Sequence, residues 1–176
     1  LEAFLRDSVV GKKRRWVDKF LASPEFSDYW TLRFAKILKV HSLPNEKEGF
    51  RAYTKWIRDC IEKNIPLDRW MPELISSTGD SHIIGAANFH RTVADARAQA
   101  ELVGKIFLGV RIQCANCHNH PLDHWTQNDY HGLAALFAKL DRGRVVQETS
   151  YGSVTNPRTG EPALPKIPGL DCTVDP

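Results

Sequence analysis

The sequence has no apolar run long enough to cross a bilayer as a helix. It also has no signal-peptide pattern at its start and no internal repeat. Lys and Arg are scattered over a chain of net charge +3, and only Gly11–Arg15, GKKRR, forms a basic cluster. No aromatic-rich basic groove or recognition motif goes with that cluster, so nucleic acid is excluded as a partner. The cluster reads as the solvated face of an early helix, with a docking patch for an acidic partner as the alternative. Leu1 is not a natural initiator, and the chain reads as a piece of a longer protein. The missing export signal therefore does not argue for the cytoplasm. Cysteine and methionine are scarce, at four and one.

What is present is helical periodicity. Trp16, Val17, Phe20 and Leu21 form one stripe. Ser23-Pro24 reads as an N-cap followed by proline at the first helical position, opening a helix marked by Phe26, Trp30, Phe34, Ile37 and Leu38. Phe50, Tyr53, Ile57, Cys60 and Ile61 mark a third helix that ends near Asn64–Pro66. Met71, Leu74 and Ile75 mark a short fourth, and residues 78–91 read as loop. A fifth helix spans about Asp95 to Arg111, and Thr126 with Asp129 caps a sixth that carries Tyr130, Leu133, Phe137 and Leu140. The expected fold is mainly α, with five to six helices around one core. Residues 1–141 form the helical domain, and 142–176 an irregular Pro/Gly-rich tail with at most a short hairpin and a turn at NPRTGE.

The chemistry concentrates in QCANCHNHPLDHW, Gln113 to Trp125. Cys114-Ala-Asn-Cys117-His118 fits C-x-x-C-H, the attachment signature of c-type haem. Two thiols at this spacing can each bond a vinyl group on one porphyrin edge, and the next residue then offers an imidazole to the iron. Phe107, Leu108, Val110, Ile112, Leu122, Trp125 and Leu133 can supply apolar walls, or can be plain core. A zinc site is the second reading, with Cys114, Cys117, His118 and His120 as ligands and His124 or His131 as substitutes. Four ligands within seven residues would strain a tetrahedron. A thiol–disulfide pair is the third, although such pairs usually open a helix in a strand–helix setting.

The stretch from Phe107 to Ala138, FLGVRIQCANCHNHPLDHWTQNDYHGLAALFA, resembles the cytochrome-like domain of unknown function abundant in planctomycetes. Its phrase F-L-G-V-x-x-x-C-x-x-C-H-x-H-P-x-D-x-W-x-x-x-D-Y is matched at every position. LASPEFSDYW, IPLDRW, NFHRT and NPRTGEPALPK extend the resemblance over nearly the whole chain. The resemblance implies a periplasmic or secreted domain within a larger multidomain protein, and a haem-c-type electron carrier. Its partners would be a redox partner or the neighbouring domains of the parent protein. At position 90 this chain has His where the family usually has an aromatic, and at 131 His where Tyr is common.

The expected haem-binding residues are Cys114, Cys117, His118, His120 and Trp125, with His118 as the proximal iron ligand. Met or His commonly fills the other axial position. Met71 reads as core, His120 as a group bonding a propionate or the backbone, and His124 as a surface side chain. His90, in its loop, and His131, facing the motif from the next helix, are the distal candidates. An open position would instead allow ligand binding or peroxidase-like chemistry, so enzymatic activity stays open. Asp123 and Asp129 are expected to fix the loop by capping and by orienting an imidazole. Cys60 and Cys172 can form a disulfide that pins the tail, or Cys60 can be a buried free thiol.

Overall fold

In the computed structural model, which describes residues 2–41 and 46–170, the chain is mainly helical. α1 (Glu2–Arg6) and α2 (Lys12–Leu21) lead into α3 (Pro24–Ile37). The Ser23 hydroxyl accepts from the Phe26 N–H at 3.3 Å, so the Ser-Pro start of α3 is as the sequence indicates. α4 (Lys47–Glu62) turns Tyr53, Ile57 and Cys60 inward, and α5 (Leu67–Ser76) adds Trp70 and Leu74. Ring contacts join these helices: Phe34 meets Trp70 at 4.8 Å and Trp56 meets Trp70 at 5.4 Å. α1 carried no clear signal, because it is a five-residue turn that buries nothing.

Residues 78–91, expected as loop, are ordered in two pieces. Gly79–Asp80 is a strand, β1, and Gly85–Arg91 is a 3-10 turn whose first six residues are all buried. Small residues explain the burial. A Cβ on Gly85 would lie 2.4 Å from the Ala52 carbonyl oxygen, so only glycine lets this backbone lie directly on α4.

α6 (Ala96–Phe107) begins at Asp95, whose carboxylate accepts from the Ala98 N–H at 2.9 Å. It stops short of Arg111 for a local reason. Gly109 takes a left-handed conformation (φ 69), and the Val110 N–H reaches back to the Gly104 carbonyl at 3.0 Å. This is a helix-terminating arrangement that favours glycine. A second 3-10 turn (Ile112–Asn116) follows, then α7 (Gln127–Ala135). α7 ends earlier than its periodicity suggests: Leu140 belongs to β2 (Leu140–Arg142), which pairs with β3 (Val145–Glu148).

The sheet order is β1-β3-β2 and both pairs are antiparallel, with Gly79 opposite Val146 and Arg142 opposite Val146 on the other side. Val146 faces inward and is fully buried. The short hairpin is therefore present, and a third strand from residues 79–80 completes it. The NPRTGE turn forms as expected, with Asn156 and Glu161 joined backbone to backbone at 2.9 Å. Residues beyond 142 pack on the helices. Val154 is buried, Arg97 donates to the Thr155 carbonyl at 3.0 Å, and the Lys166 N–H donates to the Gly132 carbonyl at 3.0 Å.

Candidate functional site

The Cys–His cluster sits on the connection between α6 and α7, and its turn is anchored from below. Ile112 and Ala115 are buried, Ile112 lying against Gly104 of α6, where a Cβ would meet its Cδ1 at 3.4 Å. Burying an isoleucine side chain contributes roughly 1.5–3 kcal/mol, enough to fix a short turn in place. With Ala115 inward, Cys114 and Cys117 both face out: the two thiols are free and exposed. Both cysteines are thus open to solvent.

The imidazole of His118 follows them. Its Nδ1 lies 2.7 Å from the Asn119 carbonyl oxygen, and the side chain is exposed. A carbonyl can only accept, so Nδ1 donates to it, and in the neutral ring Nε2 then carries the lone pair. That is the tautomer a metal ligand needs, held by a backbone partner.

The rest of the loop closes on itself. The His120 N–H donates to the Trp125 carbonyl at 2.8 Å, and the Leu122 N–H donates to His120 Nδ1 at 3.3 Å. Asp123 accepts from the His124 N–H at 2.8 Å and from the Trp125 indole at 2.9 Å. These bonds, the His124 amide first, hold the Asp123 carboxyl below the usual carboxylate range. His124 Nδ1 also meets Asp123 at 2.7 Å, and its ring packs against Trp125 at a 40° tilt, centroids 4.2 Å apart. Asp123 thus orients an imidazole, that of an exposed histidine, and Trp125 is half-buried beneath it.

α7 locks the loop from its other end. Thr126 and Asp129 form a complete capping box: the Thr126 hydroxyl accepts from the Asp129 N–H, and the Asp129 carboxylate accepts from the Thr126 N–H at 2.9 Å. Its other oxygen accepts from Lys166 at 2.8 Å. Burial alone would raise this carboxyl, but the Lys166 and Thr126 bonds outweigh it and hold it below the ordinary value. Asn116, Asn119 and Gln127 also serve the site, and sequence reasoning passed over them. The Asn119 side-chain oxygen accepts from the Gln127 N–H at 3.2 Å, and the Asn116 carbonyl accepts from the Gln127 side chain at 3.4 Å. Their only signal was a local density of small amides.

The two distal candidates lie elsewhere. His131 does face the turn, but it is fully buried and its Nε2 is engaged with the Asn116 carbonyl at 3.1 Å. His90, expected in a loop or on the surface, is fully buried in the 3-10 turn, against Phe89 and Phe137. Burial pushes its pKa down to about 4, Arg142 adds to the shift, and the Ile75 backbone opposes it only in part. Met71, expected in the core, is 38% exposed on α5. Among the described residues, no group of three or more His, Cys, Asp or Glu side chains is placed to hold a metal ion. Of the candidate wall residues, Ile112 and Leu133 are core, while Leu108 and Leu122 lie on the surface at 43% and 92% exposure. Cys60 is buried; its suggested partner Cys172 lies outside the described residues.

No curated protein and no solved structure matches this chain. A family model does: PSCyt2, described as a protein of unknown function (DUF1549), matches residues 1–142. The match takes in every α-helix, the turn with both thiols, and His118. The chain therefore belongs to the PSCyt2 family of proteins of unknown function.

Proposed function

We propose that this is a c-type haem-binding domain of a larger extracytoplasmic protein, and that it transfers electrons to a redox partner or a neighbouring domain. The carrying observation is His118, whose Nδ1 is committed to the Asn119 carbonyl and whose exposed side chain follows two exposed, free thiols in the chain. Cys114 and Cys117 would hold the haem through two thioethers, each thiol adding its sulfur and its proton across one vinyl group. No external oxidant is needed for that addition. His118 would offer Nε2 to the iron. Bound haem supplies a one-electron iron couple.

The chain's own residues fit this use. Ile112 and Ala115 are buried and anchor the turn that carries Cys114. Leu108 and Leu122, exposed as they stand, offer apolar surface to a flat macrocycle, and the half-buried Trp125 offers a ring edge. His120, half-buried and already bonded to the Leu122 amide, serves the loop and not the iron. His90 and His131 are both buried in the fold, so neither would serve the iron. The zinc reading has weaker support, since no three potential ligands converge among the described residues.

The test is export of the chain into a periplasm equipped with haem-maturation machinery. A Soret band, a pyridine haemochrome spectrum of thioether type and a haem-sized mass increment are expected. Cys114→Ala and Cys117→Ala should each leave one thioether, and His118→Ala should abolish the native visible spectrum. A colourless, fully folded product with two alkylatable thiols would sink the proposal, and zinc found in that product would install the rival.

A further inference from the structure

We infer that α2 and the turn before it form a surface that docks on membranes bearing anionic headgroups. The feature is the stretch VVGKKRRWVDKFL, Val9 to Leu21, which neither the family match nor the Cys–His site explains. No residue of α2 is buried. Val17, Phe20 and Leu21 are 53%, 59% and 54% exposed, and Val10, at the α1–α2 turn, is 99% exposed. A soluble surface helix normally turns such side chains inward, so this apolar stripe is unspent.

The charges are arranged around that stripe. α2 carries Lys12, Lys13, Arg14, Arg15 and Lys19 against the single acid Asp18. At about 3.6 residues per turn, Trp16, Phe20, Val17 and Leu21 share one arc. Lys12 and Lys19 border one edge of it, Arg14 borders the other, and Lys13 rises from its middle on a long stem that can snorkel. Lys19 lies over the Trp16 ring at 4.6 Å from its centroid, and Lys12 lies over Phe4 at 4.9 Å. Arg15 is spent on Asp7, whose other partners are the Val9 amide and the Trp16 indole; these bonds hold its carboxyl down at about 2 and brace α2 against α1. Lys13 and Arg14 are exposed and project from the helix.

Apolar side chains between cations, on a helix of low overall hydrophobicity, are the composition of an element that lies in a lipid interface. The shape favours a plane as well. A single exposed helix is a ridge, and a protein partner would need a matching groove, whereas headgroups part around a ridge. The charge selects anionic lipid, through attraction that is short-ranged and sensitive to salt.

The test uses the whole chain with vesicles of phosphatidylcholine alone or with phosphatidylglycerol. Co-flotation is expected with the anionic vesicles only, and should be lost in high salt. Brominated lipid in those vesicles should quench tryptophan fluorescence, with the quenching reduced in Trp16→Phe. Lys13→Glu with Arg14→Glu should lower partitioning roughly tenfold or more. Val17→Ser with Phe20→Ser should abolish quenching while circular dichroism stays native. These side chains are exposed; should the serine pair still lose structure, the charge-reversal pair and the bromine readout carry the test. Absence of binding to anionic vesicles by the folded chain overturns the inference, as does equal binding to neutral ones. Self-association that the serine pair dissolves, without lipid binding, also overturns it and assigns the face to a second copy.

Discussion

His131 in α7 reaches Asn116, between the two cysteines of the turn, with Nε2 3.1 Å from its carbonyl oxygen. The carbonyl accepts, so Nε2 is protonated, and Nδ1 is bare, buried and without a hydrogen-bond partner among the described residues. Burial lowers the pKa of this imidazole against a weaker opposing pull from the Asn116 carbonyl, and the Arg97 charge adds to the lowering. The helix therefore holds the thiol-bearing turn through a neutral histidine. Replacing it with alanine removes the bond and leaves a cavity, a loss of about 2–3 kcal/mol. We expect His131→Ala to lower the urea midpoint and to speed alkylation of Cys114 and Cys117 several-fold, as read peptide by peptide in mass spectrometry. Unchanged alkylation rates would mean that Ile112 and Ala115 alone fix the turn.

His90 gives a prediction of opposite character, about pH. Desolvation by burial, with Arg142 adding to it, lowers its pKa to about 4, below the value of about 6.5 for a free imidazole, so it is neutral in the fold. The unfolded chain binds the proton first as pH falls, so stability is full above about pH 6.5 and declines toward pH 4. The expected loss across that window is about 3 kcal/mol. His90→Phe should flatten the slope and raise stability at pH 5. The site suits an aromatic ring, being bordered by Phe89 and Phe137, and an aromatic is what the family resemblance implies at this position. Parallel melts of the two proteins between pH 7 and pH 5 decide it.

These two histidines also show where reading the chain worked and where it could not. The Thr126–Asp129 box and the Ser23-Pro24 start were legible because a cap is a local device: its partners lie within three residues. That His131 faces the turn was legible for the same reason, since α7 follows the motif directly. His90 was not. Its burial depends on Phe137, far along the chain, and on small residues at 85–87 that look like a loop by composition. Leu140 misled in another way: it continues the spacing of α7, but its backbone pairs with Glu148 in a sheet. At the site itself, C-x-x-C-H named the thiols and the imidazole, while the carbonyls of Asn116 and Asn119 that hold them are backbone groups and leave no mark in side-chain patterns.

Gly85 is a tight point of that hidden packing. A methyl there would stand 2.4 Å from the Ala52 carbonyl and 2.6 Å from Trp56 Cβ, and backbone cannot yield as a side-chain end can. α4 and the 3-10 turn would have to separate, and the turn carries His90 and Phe89 into the core. Gly85→Ala is expected to cost roughly 2–3 kcal/mol. A denaturation midpoint shift worth less than about 0.5 kcal/mol, the range of ordinary surface changes, would show that the contact relaxes freely.

The capping box offers a test of coupling. Thr126→Ala removes both hydroxyl bonds at the start of α7, to the Asp129 N–H and to its carboxylate, and should cost about 1 kcal/mol. Asp129→Asn weakens the reciprocal bond and also loses the charge that meets Lys166. Because burial is outweighed and the carboxyl is held below its ordinary value, its stabilisation is full above about pH 4 and fades as pH falls through the native pKa. The wild type should therefore lose stability on acidification below pH 4 more steeply than Asp129→Asn. The two side chains bond each other directly, the Thr126 hydroxyl lying 2.7 Å from the Asp129 carboxylate, so their effects cannot be independent. In the Asp129→Asn background, Thr126→Ala should cost less than it does alone. Strict additivity in a double-mutant cycle would mean that the loop closes on Asn119 and Trp125, and that the box merely decorates its end.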